Sequence, residues 1–302
     1  MPQQPVGLAV VTGSNTGIGL ETARGLAARG FTVVLACRST DKGEQARQQV
    51  LDGEGDLAAR LLVMKLDLSS FDSVRAFVRE LLARGELPPL RVLVLNAGLN
   101  VVGMSKDLRT AEGYDLTFGT NYLGHFLLVN LLLETLKRNG PSRVVSLSSV
   151  THRTGRADYA RQFHKSYHAD GYATSKLALT HLAFEIQRRY AADGVMGIAV
   201  NPGAVNSDIW RNWPVCLRPL FRVVFLTTAQ GAACSIHAAT TGDVAAADED
   251  VYFSPYRVFR GIGAFDTLGP FAGPQRALPS PLARDRAVAS DLWQMSLDAI
   301  AK

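Results

Sequence analysis

The chain has 302 residues, of which 47% are hydrophobic and 20% are charged, a balance that predicts one large domain or a domain with an extension. The net charge of +5 and the isoelectric point near 9.2 come from scattered basic residues, which argues against nucleic-acid binding and suits an anionic cofactor. The three cysteines, Cys37, Cys216 and Cys234, are odd in number and lack the spacing of a metal site, which favours a reduced, intracellular setting.

The first predicted element is a buried strand at residues 7–12, followed by a glycine-rich turn at 13–19 and a helical pattern at 20–28. Glycines between a strand and a helix let the backbone approach a diphosphate, whose charge is met by the amino-terminal end of the helix. The spacing is GxxxGxG rather than the commoner GxGxxG. A glycine-rich turn alone is a weak signal, and the strand before it and the helix after it strengthen the prediction. The predicted cofactor-binding residues of this turn are Gly13, Ser14, Asn15, Thr16, Gly17, Ile18 and Gly19.

The second predicted strand, at residues 31–36, ends where a dinucleotide-binding fold places the residue that contacts the adenine ribose. An NAD-binding protein carries Asp or Glu at this point, whereas this chain has Arg38, with Ser39 and Lys42 close by. A guanidinium suits a 2′-phosphate, so the sequence predicts NADP(H). The alternative interpretation is a solvated surface arginine.

Strands and helices continue to alternate along the rest of the chain. Further strands are predicted at 60–65, 90–95, 143–147, 195–200 and 251–254, and helices at 41–50, 71–84, 116–136, 172–190 and 227–240. This alternation predicts an α/β fold: a single doubly wound (Rossmann) domain over 1–302, with a parallel sheet of about seven strands and helices on both faces. Within it we predict a substrate-lid segment at 204–226 and a carboxyl-terminal extension at 265–302.

Polar and glycine residues recur at the carboxyl ends of these strands, the edge at which open α/β sheets bind ligands. Several such coincidences outweigh any one motif, and they extend the predicted cofactor site along this edge. The further predicted cofactor-binding residues are Asp67, Leu68, Asn96, Ala97, Gly98, Pro202, Gly203 and Val205.

Tyr172 and Lys176 are four residues apart on a predicted helix and therefore lie on one face. A lysine ammonium close to the phenol, whose ordinary pKa is about 10, favours the tyrosinate and should lower the pKa of Tyr172 towards neutral. The alternative interpretation is a chance pair. His164 and His168 are also four apart, but no third ligand accompanies them, so we predict no metal site.

Taken together, these motifs resemble the classical short-chain dehydrogenase/reductase superfamily over residues 7–255. Within it, residues 35–39, 121–126 and 291–293 are similar to the retinol dehydrogenase branch, which includes the WW-domain oxidoreductase and commonly uses NADPH. Many members of that branch begin with a membrane anchor, which we do not expect here. The motifs that carry the resemblance are Thr12-Gly13 with Gly17-Ile18-Gly19, Asn96-Ala97-Gly98, Asn121, Ser149, Tyr172 with Lys176, and Pro202-Gly203.

The resemblance implies a role for each catalytic residue, and the chemistry of the side chains agrees with it. Tyr172 exchanges a proton with the substrate oxygen, Lys176 lowers the pKa of Tyr172 and bonds the nicotinamide ribose, and both also contact the cofactor. Ser149, preferred over Ser148 by the family pattern, polarises the substrate carbonyl. Asn121 is expected to hold a water that links Lys176 to solvent; the alternative is a helix-interior asparagine satisfied by backbone.

The segment 209–226 contains two tryptophans and two phenylalanines, more apolar surface than a solvent loop needs. It is interpreted as a lid over an apolar substrate pocket, with Trp210 and Trp213 joining Ser149 as substrate-binding residues. Simple packing on the sheet is one alternative. Another is a membrane-surface patch that includes Arg218 and Arg222. Since no apolar run reaches the roughly 18 residues of a membrane span, and residues 1–6 show no targeting signal, we expect a cytoplasmic protein, with peripheral membrane contact as the alternative.

The sequence therefore predicts an NADP(H)-dependent oxidoreductase that transfers a hydride between the nicotinamide and a carbonyl or alcohol of an apolar small molecule of the retinoid, steroid or lipid aldehyde class. A broad-specificity detoxifying carbonyl reductase and a non-catalytic dinucleotide-sensing protein are the alternatives. We predict no nucleic-acid partner, and a homodimer is left open.

Overall fold

The computed structural model describes residues 6–51, 57, 60–101, 108–163, 171–205, 225–256 and 271–301. They form one eight-stranded sheet with the strand order β3-β2-β1-β4-β5-β6-β7-β8. All neighbouring strands are parallel except β7 and β8, which are antiparallel. The strands are β1 Leu8–Thr12, β2 Thr32–Cys37, β3 Leu61–Lys65, β4 Leu90–Leu95, β5 Ser142–Leu147, β6 Val195–Val200, β7 Tyr252–Tyr256 and β8 Phe271–Arg276.

Helices cover both faces of this sheet, and each face has its own buried apolar cluster. One cluster includes side chains of α1 and α8, and the other includes side chains of α3, α5, α7 and α9. The predicted doubly wound α/β fold is confirmed. The helices are α1 Gly17–Ala27, α2 Thr40–Leu51, α3 Phe71–Ala83, α4 Leu116–Phe118, α5 Gly124–Arg138, α6 Tyr159–Phe163, α7 Gly171–Tyr190, α8 Thr228–Thr240 and α9 Arg286–Ile300.

The strands β1 to β6 form where the sequence offers short runs rich in β-branched and aliphatic residues. Strand β1 is buried at all five positions, as expected for a central parallel strand covered on both faces. Strands β4 and β6 begin and end at the predicted residues. Helix α3 begins after Ser70, whose hydroxyl accepts a hydrogen bond from the Ser73 N–H at 3.3 Å and so caps the helix.

The predicted helix at 116–136 is interrupted. A π-helical turn, Gly119–Leu123, joins α4 to α5 and places Asn121 within the wider turn. The whole stretch Leu116–Arg138 is long and apolar enough to cross a membrane by length and composition, contrary to our estimate from uninterrupted runs. However, 83% of its most apolar window is buried inside the protein, which is the position of a core helix.

The sheet continues past the last predicted strand with β8, and the chain then returns across the helical face that holds α5 and α7. The ring of Trp293 in α9 meets Phe126 of α5 edge-on at 5.0 Å between centroids. The guanidinium of Arg189 in α7 lies 4.8 Å from the Trp293 ring. The Tyr122 hydroxyl is 2.8 Å from Ser296 Oγ. Helix α9 thus covers apolar surface that would otherwise face solvent.

Candidate active site

A cleft of about 600 Å³ lies at the carboxyl edge of the sheet and gathers most of the predicted site residues. Its walls come from the ends of β1 to β6 and from the first turn of α1. The predicted residues that line it are Gly13, Asn15, Thr16, Gly17, Ile18, Gly19, Arg38, Asp67, Leu68, Asn96, Ala97, Gly98, Ser149, Tyr172, Lys176, Pro202, Gly203 and Val205.

The glycine-rich turn forms a tight cradle at the start of α1. Gly13 and Gly17 have φ values of 62° and 59°, in the left-handed region that favours glycine. A Cβ added to Gly19 would come within 2.4 Å of Asn96 Nδ2, so a side chain there has no room. Thr16 makes no side-chain cap to the helix, which leaves the first N–H groups of α1 to meet an anion. The cradle therefore fits the diphosphate of a dinucleotide.

Ser14 is the member of this turn whose side chain faces away from the cleft. Its hydroxyl is buried and donates to the Val11 carbonyl at 2.7 Å. A side-chain contact between Ser14 and a cofactor does not agree with this arrangement, and the side chain instead supports the turn.

Thr12 links the glycine-rich turn to the loop after β4. Its hydroxyl oxygen accepts hydrogen bonds from the N–H groups of Asn96 at 3.0 Å and Ala97 at 2.9 Å. His125 Nε2 lies 2.8 Å from the same oxygen, and His125 Nδ1 lies 2.7 Å from the Asn121 carbonyl oxygen. Burial of the imidazole lowers the pKa of His125 to about 4, so this support stays uncharged at neutral pH. His125 thus supports the glycine-rich turn and the loop after β4 from inside the core.

Arg38 follows β2 at one end of the cleft, and its side chain is exposed. Ser39 and Lys42 line the same end, and the Lys42 N–H is 3.3 Å from Ser39 Oγ. Of the residues that the structure describes, none forms an ion pair with the Arg38 guanidinium, so its charge is available to a ligand.

The two adjacent serines after β5 face in different directions. Ser148 is buried, and its hydroxyl contacts the Lys176 carbonyl at 3.1 Å and Thr180 Oγ1 at 2.7 Å. Ser149 lines the cleft at the start of the 3₁₀ turn Val150–Thr154, and its hydroxyl also accepts from the Thr151 N–H at 3.2 Å. Ser149 is thus the serine placed to contact a bound molecule.

Tyr172 and Lys176 both line the cleft from the first turns of α7, with Lys176 Nζ 5.6 Å from the centre of the Tyr172 ring. The surrounding protein disfavours charge on either group. Burial raises the pKa of Tyr172, and a hydrogen bond from Ser149 opposes that change. Burial lowers the pKa of Lys176 to about 7. The prediction that Lys176 lowers the pKa of Tyr172 is therefore wrong for this structure, because burial has the largest effect on that pKa and raises it.

Lys176 is almost fully buried, and its Nζ donates to the Leu147 carbonyl at 2.7 Å. A Cβ placed on Gly98 would lie 3.5 Å from Nζ and 3.6 Å from Asn121 Oδ1, so these two groups approach the same glycine. The amine is held between the ends of β4 and β5. With a pKa of about 7 it can both accept and release a proton near neutral pH.

Asn121 does not line the cleft, and its side-chain amide is bonded to other parts of the protein. Oδ1 accepts from the Leu99 N–H at 2.8 Å, while Nδ2 donates to the Leu99 carbonyl at 3.0 Å and to Ser175 Oγ at 3.0 Å. Both amide hydrogens are therefore used. This geometry favours the alternative of a satisfied interior asparagine over a water-holding side chain, and it makes Asn121 a support for the loop after β4.

The sequence interpretation missed the apolar wall of the cleft and two hydroxyls within it. Thr120 and Thr151 line the cleft, and neither side-chain oxygen has a hydrogen-bond partner among the described residues. The position of Thr151, two residues after Ser149, is the one feature of the sequence that could have predicted its place in the cleft. Trp210 and Trp213, like most of the predicted lid, lie outside the described residues. The apolar wall is formed by Leu99, Val101, Leu108, Leu116 and Leu147.

Comparison with known proteins points to one family. A family model described as short chain dehydrogenase matches residues 7–215. The chain is 39% identical to retinol dehydrogenase 12 of Mus musculus over 302 residues, which cover 99% of this chain and 87% of the relative. It is 38% identical to retinol dehydrogenase 11 of Homo sapiens over 308 residues, with the same two coverages of 99% and 87%. A solved structure of an uncharacterized protein from Mycobacterium paratuberculosis is 29% identical, with a TM-score of 0.72 and coverage of 100% of this chain and 96% of that one.

Proposed function

Because this chain belongs to the short-chain dehydrogenase family, in its retinol dehydrogenase-like branch, we propose that it is an NADP(H)-dependent oxidoreductase that interconverts an apolar carbonyl compound and its alcohol. The observation that carries the proposal is the placement of Ser149, Tyr172 and Lys176 in the same cleft as the glycine-rich cradle and Arg38. A dinucleotide lying along this cleft would span from the Arg38 end to the Tyr172 end.

The residues at the Tyr172 end divide the chemistry between them. A nicotinamide cofactor supplies the hydride, which the protein itself cannot. Ser149 Oγ donates a hydrogen bond to the substrate oxygen and stabilises the negative charge that grows there. Tyr172, kept protonated by the raised pKa of its phenol, delivers its proton to that oxygen during reduction. Lys176, with a pKa of about 7, returns a proton to Tyr172 near neutral pH.

The choice of NADP(H) rests on the charges along the cleft. Among the described residues that line it, Arg38, Lys42 and Lys176 are basic and Asp67 is the one carboxylate. Asp67 Oδ1 already accepts from the Ser69 N–H at 2.9 Å and from Ser69 Oγ at 2.6 Å. An additional phosphate on the ribose finds an available guanidinium at Arg38, whereas no carboxylate at the end of β2 lines the cleft to accept from a free ribose hydroxyl.

The apolar wall of the cleft supports an apolar substrate. The aliphatic side chains at positions 99, 101, 108, 116 and 147 favour a hydrocarbon body over a sugar or an acid. Ser149 and Thr151 would receive the oxygen at its end. The retinol dehydrogenases that this chain resembles are named for a substrate of this kind, a long hydrocarbon with one oxygen.

The test is a direct assay of cofactor and substrate. Binding of NADPH and NADH is measured by fluorescence titration, and cofactor oxidation is then followed with retinal, a steroid ketone and short aldehydes of graded length. We expect tighter binding of NADPH and faster turnover of the long apolar carbonyls. Tighter NADH binding contradicts the cofactor assignment. Dinucleotide binding without turnover of any carbonyl would favour a non-catalytic sensor instead.

A further inference from the structure

His152 lies directly behind Ser149 and links the site to a distant part of the chain. It is fully buried, in the 3₁₀ turn that Ser149 begins. Its Nδ1 is 2.7 Å from the Ser149 carbonyl oxygen. Its Nε2 accepts a hydrogen bond from the Ser280 N–H at 3.1 Å, across 128 positions of sequence. Its ring also meets that of Tyr252 edge-on at 5.4 Å between centroids.

These contacts define which ring nitrogen of His152 carries the hydrogen. A backbone N–H can only donate, so Nε2 must present its lone pair to Ser280. A carbonyl oxygen can only accept, so Nδ1 must carry the hydrogen towards Ser149. The imidazole is therefore neutral, with its hydrogen on Nδ1. The Ser280 N–H selects this arrangement, since the other tautomer would place two donors against each other.

The result is that Ser149 is fixed through its main chain. Its carbonyl oxygen accepts two hydrogen bonds from the same residue, one from His152 Nδ1 and one from the His152 N–H at 3.0 Å. Its hydroxyl accepts from the Thr151 N–H. The preceding residue, Ser148, is tied to β6 by its N–H, which donates to the Val200 carbonyl at 2.8 Å. The hydroxyl that faces the cleft is thus carried by a peptide with little freedom to turn.

Ser280 belongs to a segment that is itself well anchored, residues 277–282, which we call the C-terminal strap. The Ala277 N–H donates to the Tyr252 carbonyl at 2.9 Å, which joins the strap to β7. Arg153 donates to the Leu278 carbonyl at 2.6 Å. His181 Nε2 is 2.9 Å from the Leu282 carbonyl, and burial lowers the pKa of His181 to about 4. The strap therefore presents the Ser280 N–H to His152 at a defined place.

We propose that His152 is a positioning residue for the reaction: the C-terminal strap selects its Nδ1–H tautomer, and that hydrogen holds Ser149 in the orientation that polarises the substrate carbonyl. The inference rests on the proposed function for its kinetic consequence. The hydrogen-bonding arrangement itself can be tested without turnover.

Two substitutions separate the two ends of the imidazole. In His152→Asn, the side-chain Nδ2 takes the place of Nδ1 and still donates to Ser149, but the side chain is too short to reach Ser280. In His152→Gln, the longer side chain brings Oε1 to the place of Nε2, where it accepts from Ser280, while the donor to Ser149 is lost. Arg153→Met is the matched control, because it removes one of the three anchors of the strap while the anchors at Ala277 and Leu282, and both hydrogen bonds of the His152 ring, stay in place.

We expect kcat to fall about tenfold in His152→Gln, with KM and the Kd for NADPH changed less than threefold, because a small displacement of a catalytic group acts on the transition state. The His152→Asn and Arg153→Met variants should keep kcat within about threefold of the wild type while Tm falls by a few degrees. Equal kcat values for the Asn and Gln variants, or the reverse order, would overturn the proposal.

A second readout separates this inference from the proposed function. ¹⁵N NMR of the histidine rings in the wild-type protein should show His152 with its hydrogen on Nδ1 and a lone pair on Nε2. The opposite tautomer, or a doubly protonated ring at neutral pH, overturns the inference whether or not the protein is active. Absence of carbonyl turnover in the wild type, with the expected tautomer present, contradicts the proposed function and leaves the arrangement of His152 established.

Discussion

The two sides of the turn that begins at Ser149 differ in how their titratable side chains are held. On the cleft side, Tyr172 and Lys176 are held where burial disfavours their charged forms, and Thr151 Oγ1 has no partner among the described residues. On the opposite side, His152 and His181 each use both ring nitrogens in hydrogen bonds. On the cleft side burial works against the charged forms and one hydroxyl is left unpaired, whereas both histidines on the other side have every ring nitrogen paired.

The contrast agrees with the roles that we propose for the two sides of this turn. A catalytic group needs a poised proton and an unfilled hydrogen-bonding position, both of which weaken the fold locally. A satisfied buried network behind it fixes the geometry that the reaction requires. Protonation should follow the same division: the pKa of Lys176 lies at about 7, whereas that of His181 lies at about 4. Near neutral pH, Lys176 on the cleft side titrates while His181 behind the turn does not.

The largest effect on turnover is expected when the phenol hydroxyl of Tyr172 is removed from the cleft side. In Tyr172→Phe the ring stays but the exchangeable proton is lost, and we expect turnover to fall by about 10²-fold or more with cofactor affinity largely intact. Steady-state kinetics with NADPH and an apolar aldehyde, together with a Kd for NADPH, test this. Tyr159→Phe is the matched control, since Tyr159 is buried in the core beside His181 and does not line the cleft. Near-normal turnover in Tyr172→Phe would contradict the role of Tyr172 as the proton donor.

Removing the buried amine tests the pH behaviour of the cleft side. Because the pKa of Lys176 falls from its ordinary 10.5 to about 7 on folding, the unfolded chain binds more protons than the folded one between pH 7 and pH 10. The contribution of Lys176 to stability should therefore become more favourable as the pH rises through this window, with a slope of up to about 1.4 kcal/mol per pH unit.

Lys176→Met keeps a side chain of similar shape but removes the titrating amine, and with it this pH dependence. The unfolding free energy of the wild type should therefore rise relative to that of the variant from pH 7 to pH 9.5. Urea unfolding at several pH values provides the measurement. Parallel curves for the two proteins would mean that the lysine keeps an ordinary pKa in the folded state.

Reversing the charge of Arg38 tests the cofactor end of the cleft alone, because the residues at the Tyr172 end stay unchanged. Arg38→Asp should weaken NADPH binding about tenfold more than NADH binding, because an attraction to the 2′-phosphate becomes a repulsion. Arg47→Asp is a control with the same change of charge. Arg47 lies on the adjacent helix α2, pairs with Glu44 and does not line the cleft. An unchanged ratio of the two affinities in Arg38→Asp would show that Arg38 does not contact the phosphate.

The smallest effect is expected from the predicted lid. If Trp210 and Trp213 cover the apolar substrate, replacing either with Ala should raise KM for long apolar carbonyls a few-fold and leave KM for short ones nearly unchanged. Equal effects on long and short substrates would indicate packing on the sheet. Sedimentation with anionic liposomes that is lost when Arg218 and Arg222 are neutralised would indicate a membrane-surface patch.

The repeating part of the fold could be predicted from the sequence because its signals are local. Continuous aliphatic runs between turn residues defined β4 and β6 to the residue, and the strand-to-helix turn at Gly13 to Gly19 was visible from spacing alone. Strand β8 was not predicted because it is an exposed edge strand that contains Gly273 and Pro274, which are poor strand residues. The π-turn at Asn121 was hidden because apolar periodicity does not record a local widening of a helix.

The site could be predicted where its residues follow strand ends, and not where it depends on distant partners. The hydrogen bond between His152 and Ser280 joins positions 128 apart, and no local sequence pattern predicts it. The direction of the pKa change at Tyr172 was predicted wrongly, because a sequence gives the neighbouring lysine but not the degree of burial, which sets the direction here. Burial and long-range hydrogen bonds are properties of the folded chain.

We propose that this cleft transfers a hydride from a bound NADPH to a carbonyl carbon beside Ser149 and Tyr172. The most direct test incubates the wild-type protein with NADPH deuterated at the transferable C4 position and an apolar aldehyde, and examines the alcohol by mass spectrometry. We expect one deuterium on the carbinol carbon of the product, and about 10²-fold slower labelling in Tyr172→Phe. An alcohol without deuterium, or no alcohol from any apolar carbonyl although NADPH binds, would contradict it.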